Sequence, residues 1–168
     1  MENQQQVFNS LVSDYSEKLY WHVRSIVGNH DDADDLMQEI YIKVWESLPT
    51  FRGDSQIFTW LWRIATNECL SFLRKRRVRS ALNFLSITAE AEEIVGSDPY
   101  FNGDKAQRSL ATAVQKLPAK QRQVFCMRYF EELSYEDMSE ITGTSVGALK
   151  ASYHFAVEKI SKEVGGEF

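Results

Sequence analysis

Trp60, Arg63, Asn67, Ser71 and Arg74 follow one another at spacings of three and four residues, so on an α-helix they line one face. An aromatic ring, two cations and an amide are the groups that hold an opened nucleic-acid strand. The ring stacks on a base, the cations meet phosphate and the amide meets a base edge, each stacked base contributing roughly 1–3 kcal/mol. Arg76 and Arg77 continue the row within the dense basic run "RKRRVR" (Arg74 to Arg79). A turn-forming loop, Phe51-Arg52-Gly53-Asp54-Ser55-Gln56, precedes it. The competing reading buries Trp60 and Trp62 against a neighbouring helix, and the expectation is that one of them, Trp62, belongs to the core.

Upstream, the wheel of residues 35–48 has a core stripe of Leu36, Met37, Ile40, Tyr41, Val44 and Leu48. Opposite lie Asp35, Gln38, Glu39, Ile42 and Glu46. Such a face suits a basic protein partner, with Ile42 as the apolar anchor; a solvated face with one stray isoleucine is the alternative. The run Asp31-Asp32-Ala33-Asp34-Asp35 also satisfies DDxxD, a magnesium-diphosphate motif of helical prenyl-transfer enzymes. That chemistry needs a second, facing carboxylate cluster, and the sequence has none. Aspartates favouring a helix N-terminus explain the run more simply.

A third set of residues lies near the end of the chain. Ser134 with Asp137 reads as a capping-box-like start, and small Ser139 suits a close helix crossing. Gly143 falls at the turn, where a left-handed backbone is easiest for glycine, and Leu149 faces back to a core. This spacing is the steric logic of a helix-turn-helix. Its second helix, capped by Thr144 or Ser145, would offer Ser145, Gly147, Ala148, Lys150, Ala151 and His154 to a major groove. A plain helical hairpin is the alternative.

The elements that must carry these groups are all helical, with no convincing alternating strand. Helices are expected over 7–27, ending at Gly28; over 31–48, stopped by Pro49; and over 57–77. The first module is placed at 1–80, a flexible acidic linker with room for a short helix at 81–106, and a second module at 107–168. At full extension the linker could reach up to about 80 Å. Of the net charge of −5, residues 1–80 carry 11 acidic and 10 basic side chains, 81–106 carry 5 and 1, and 107–168 carry 8 and 8. The acidic excess therefore sits mostly in the linker, which leaves the modules free to bind nucleic acid. Cys69 and Cys126, without CxxC or histidine ligand spacing, read as reduced structural thiols. No signal peptide or membrane span is visible, so a cytoplasmic protein without membrane insertion is expected.

Two stretches carry a family resemblance. "DDLMQEIYIKVWESLPTFRGDSQIFTWLWRIATNECLSFLRKRR" (34–77) resembles the second conserved region of bacterial sigma factors of the extracytoplasmic-function group, and "LPAKQRQVFCMRYFEELSYEDMSEITGTSVGALKASYHFAVEKI" (117–160) resembles their fourth region. The resemblance implies a non-enzymatic transcription initiation factor without cofactors. The partners it implies are RNA polymerase core enzyme, promoter DNA as duplex and as melted non-template strand, and an anti-sigma factor. The face Asp35, Gln38, Glu39, Ile42 and Glu46 would meet the polymerase. Phe51, Arg52, Gly53, Asp54, Ser55, Trp60, Arg63, Asn67, Arg74, Arg76 and Arg77 would hold the −10 element, a flipped base repaying part of the unstacking cost. Residues Ser145, Gly147, Ala148, Lys150, Ala151, Ser152, His154 and Phe155 would meet the −35 element. A stand-alone helix-turn-helix regulator is the competing function. The recognition helix departs from the family, because Phe155 and Val157 occupy positions where relatives carry cations. The second module, residues 107–168, should therefore bind a −35 duplex weakly on its own. A filter-binding or anisotropy titration at physiological salt checks this, and tight binding there refutes it.

Overall fold

The chain first reverses at Gly28, whose φ of +95° lies in the region that favours glycine. Helix α1 (Glu2–Val27) ends there. Asn29, in extended backbone, then starts α2 (His30–Ser47) by accepting a hydrogen bond from the Asp32 amide at 2.9 Å. Pro49 halts α2 in a single 3-10 turn, Leu48–Thr50. After the loop at 51–56, α3 (Ile57–Leu82) runs beyond its expected end at 77. The computed structural model describes residues 2–165; the outermost residues of the expected modules, 1 and 166–168, lie outside them.

The second half is built from helices of 8 to 19 residues, most of them started by a side-chain cap. Ser86 caps α4 (Ile87–Gly96), and Asp104 with Gln107 forms a reciprocal capping box on α5 (Lys105–Lys116). Pro118 stands immediately before α6 (Ala119–Tyr129). Ser134 caps α7 (Tyr135–Thr142), Gly143 leaves it at φ +72°, and Ser145 caps α8 (Val146–Val164). The expected all-α class and helix-turn-helix geometry are thus present, with no strand among the described residues.

Packing departs from two modules on a loose tether. Leu19, Val23, Ile26, Ile40 and Leu61 from the first half and Phe125, Met127, Met138 and Leu149 from the second belong to one continuous core. Helix α6 lies against α1 and α3, and α7 lies against α3. The linker expected to be flexible holds α4, which buries Ala91, Ile94 and Val95 and packs on α5. Apolar burial explains part of this docking and charge explains the rest. Asp98, fully buried at its side chain, is ion-paired with Arg24 of α1, and Glu90 is ion-paired with Arg77 of α3.

Gly28 permits the approach of the second half. A Cβ placed there would meet the Gln115 side chain of α5 at 2.6 Å and Ile94 of α4 at 2.8 Å. Gly28→Ala adds that clash to a strained positive φ, itself worth about 1–3 kcal/mol. The variant should lose at least that much stability in a urea melt, whereas Gly147→Ala, in open space within α8, should not.

Candidate nucleic-acid interface

Helix α3 is buried along two stripes, and what remains is the candidate site. The expected stripe through Leu61, Ala65 and Cys69 is buried against α1 and α2, with Ile57, Ile64 and Phe72 half-buried. A second stripe follows Trp62, Thr66, Cys69, Leu73, Arg76 and Ser80, all buried. Trp62 is 1% exposed and packs on Tyr15, Phe58 and His22, so it is the core tryptophan as expected.

Between the stripes runs the open face. Arg63, Asn67 and Arg74 are exposed, and Trp60 is half-buried with its ring 4.9 Å from that of Phe51. Phe51 belongs to the loop whose Arg52, Gly53 and Asp54 are exposed and whose Ser55 is half-buried. The structure thus brings the loop, the two rings and the Arg63–Asn67–Arg74 row together. Arg63 is not unengaged: its Nη2 donates to the Glu140 carbonyl of α7 at 2.7 Å.

Arg76 does not join them. It was expected on the strand-holding face, yet its guanidinium is buried, donating to the Val27 carbonyl at 2.7 Å, to Asp32 at 3.2 Å and to Gln115 at 3.1 Å. The 3.6-residue period places it two positions round from Arg74, at the end of the second stripe where Glu90 of α4 and Gln115 of α5 meet it. Burial lowers its pKa, opposed by the charges of Asp32 and Glu90. Arg77 is 41% exposed at its side chain and engaged by Glu90 and the Leu85 carbonyl. Of the basic run, Arg74, Lys75 and Arg79 are exposed, and Arg74 is the one at the spacing of the row.

The groups that sequence reasoning missed lie between the two halves. Glu131, in the turn after α6, accepts from Trp62 Nε1 at 2.8 Å and bonds His22 Nδ1 at 2.7 Å. A carboxylate only accepts, so His22 carries a proton on Nδ1. Its Nε2 lies 3.1 Å from the Thr66 hydroxyl, and Gln123 Nε2 donates to the Thr66 carbonyl. Arg122 of α6 and Arg76 of α3 both donate to the same Gln115 oxygen. Burial, then the like charge of Arg76, pushes the Arg122 pKa down to about 10. The one available signal was the polar members of the second stripe, Thr66 and Arg76, recurring at core spacing.

The other two candidate faces are open. On α2, Asp35, Gln38, Glu39, Ile42 and Glu46 are all exposed, Ile42 by 58%. On α8, Ser145, Gly147, Ala148, Lys150, Ala151, His154 and Phe155 are exposed and Ser152 is half-buried. The Ser145 hydroxyl is committed to the Ala148 amide, and Lys150 Nζ stands 5.6 Å from the centre of the Tyr135 ring.

Fold and faces define an all-helical protein with a helix-turn-helix half and an aromatic-basic half. The family model for sigma-70 region 2 matches residues 11–79, and that for sigma-70 region 4 matches 107–160. The RNA polymerase sigma-H factor of Pseudomonas aeruginosa is 32% identical over 165 residues, covering 92% of this chain and 84% of that protein. The ECF RNA polymerase sigma-E factor of Escherichia coli K12 is 32% identical over 172 residues, covering 95% and 87%. Among solved structures, the sigma factor RpoE in complex with the anti-sigma factor NepR from Bartonella quintana shares the fold at a TM-score of 0.72. It is 24% identical, with 95% of this chain and 98% of that one covered. CnrH in complex with the cytosolic domain of CnrY shares it at 0.64 and 24% identity, with 94% and 87% covered. The chain belongs to the extracytoplasmic-function family of RNA polymerase sigma factors: it is a non-enzymatic factor for promoter recognition and transcription initiation.

Arg74 and Arg76 should separate cleanly on substitution. Arg76→Ala strands buried partners and should cost about 3–5 kcal/mol in a denaturant melt. Arg74→Ala should leave stability within about 0.5 kcal/mol. It should nonetheless lower the salt dependence of single-strand binding by about one phosphate contact, a slope change of roughly 0.7.

Proposed function

We propose that the three open faces divide the work of an alternative sigma factor. The α2 face, Asp35 through Glu46, docks on core RNA polymerase, with Ile42 in a small apolar pocket and the carboxylates against a basic rim. The loop at 51–56 and the α3 row receive the melted non-template strand of the −10 element. Phe51 and Trp60 offer rings, Arg63 and Arg74 meet phosphate, and Asn67 reads a base edge. Capturing an extruded base repays unstacking, so melting draws on binding energy alone. The α8 face reads the −35 element as duplex.

The observation that carries this reading is the juxtaposition on α3. Two rings within stacking distance of one another stand at the head of an exposed cation–amide row. Arg63 also has a structural contact at the Glu140 carbonyl, while Asn67 and Arg74 are exposed to water. A stand-alone operator-binding regulator would leave the row and the Ile42 face without use. An anti-sigma partner is supported by the solved relative RpoE, which is in complex with the anti-sigma factor NepR. Work beside polymerase supports a cytoplasmic protein. No helix among the described residues is long and apolar enough to cross a membrane.

The test is promoter-dependent transcription with purified protein, bacterial core polymerase and genomic DNA, the transcript ends being sequenced. Starts should share a pair of upstream elements. Ile42→Glu should weaken core binding at least tenfold, about 1.4 kcal/mol. Arg63→Ala and Asn67→Ala should leave core binding intact and lower open-complex formation. Unchanged transcription in all three variants would remove the assignment of these faces.

A further inference from the structure

The side chains of α8 restrict how that helix can read a duplex. From Val146 to Phe155 the sequence has no Arg, Asn, Gln, Asp or Glu. Those residues make the usual hydrogen bonds to guanine, adenine and cytosine edges, with lysine as the other reader of guanine. Lys150 stands on the flank toward α7, its Nζ 5.6 Å from the centre of the Tyr135 ring. The Ser145 hydroxyl is occupied as the helix cap, accepting from the Ala148 amide at 3.2 Å, and Ser152 is half-buried. Within the open face of the helix, that leaves His154 as the polar group.

What the face offers instead is apolar. Ala148, Ala151 and Phe155 are exposed and recur at spacings of three and four, so they share one side of α8. Phe155 is 52% exposed, while Leu149, Ala156 and Ile160 fill the core side of the helix. Gly147 has no packing reason to be glycine, because a Cβ there would meet nothing within 4 Å. A missing side chain on an outer face permits close approach of the backbone to another molecule. From Ala148 to Phe155 the helix rises about 10.5 Å, the height of roughly three base pairs. Glu158, a turn further on, has the wrong charge for phosphate and pairs with Lys162, which ends the surface.

In the major groove the apolar group on a base edge is the C5-methyl of thymine, against which alanine and phenylalanine pack. We propose that α8 reads the −35 element through thymine methyl groups, with Ala148, Ala151 and Phe155 covering them and Gly147 letting the helix seat closely. This rests on the assignment of α8 to the −35 duplex. Each methyl removed from water contributes about fourfold in affinity, so several must be read together. Methyl contacts release no counterions, and this fits the weak binding expected of the second module on its own.

The test uses holoenzyme assembled from the full chain and core polymerase, on a promoter fragment recovered by the transcript mapping above. Deoxyuridine in place of the −35 thymines removes the methyl groups and leaves every hydrogen bond. It should weaken competitive binding about threefold or more per contacted thymine. In Phe155→Ala holoenzyme that loss should vanish at the thymine which Phe155 covers, with core binding unchanged. Gly147→Leu should weaken promoter binding about tenfold without lowering the midpoint of a urea melt. A −35 element lacking thymine on both strands overturns the proposal outright. A scrambled −35 element separates the remaining ways of failing. If scrambling leaves binding unchanged, the α8 assignment fails and the proposal falls with it. If scrambling weakens binding and deoxyuridine does not, the assignment stands and the methyl readout is wrong. Loss of core binding in Phe155→Ala would give the ring to a protein partner and overturn the readout as well.

Discussion

A guanidinium removed from water must have its charge and its donors answered where it lies. Arg76 meets that condition for its charge and its two terminal nitrogens by reaching out of α3 to four other elements: the end of α1 at Val27, α2 at Asp32, α4 at Glu90 and α5 at Gln115. Its Nε faces Glu90 at 3.9 Å without a hydrogen bond. None of these contacts is local in sequence, so satisfying one side chain places the linker and the second half against the first. The close approach is possible because Gly28 has no Cβ where Gln115 and Ile94 arrive. Position, charge and backbone conformation are set together at this corner, and the contact of Glu131 with Trp62 lies further along the same stripe of α3.

That stripe also marks where the sequence was legible and where it was not. The α2 faces could be read because apolar and acidic residues segregate by helical period, and all five acidic-face residues are exposed. Trp62 could be assigned to the core, and the caps at Ser134, Gly143 and Ser145 follow from local chemistry alone. The second stripe of α3 could not be read, because Thr66, Arg76 and Ser80 are polar and periodicity counts only apolar residues. Arg76 differs from Arg74 by two positions and no chemistry. Which arginine is buried was decided by what packs on α3, and those contacts come from the other half of the chain. The linker was obscure for a related reason. Its docking depends on two ion pairs with α1 and α3 as much as on its own short amphipathic pattern.

The character of the seam between the two halves decides how they meet. An apolar interface gains free energy in proportion to buried area and discriminates little between partners. Here the two halves share one apolar core and, beside it, a set of cross-seam hydrogen bonds, each net worth only about 0.5–1.5 kcal/mol. Removing one partner strands the other, so the geometry is strict. The apolar area holds the halves together and the hydrogen bonds fix the register in which they meet.

The same corner also carries a cost. Arg76 and Arg122, both buried, converge on one Gln115 oxygen, a like-charge contact that opposes burial and that the carboxylates of Asp32 and Glu90 offset.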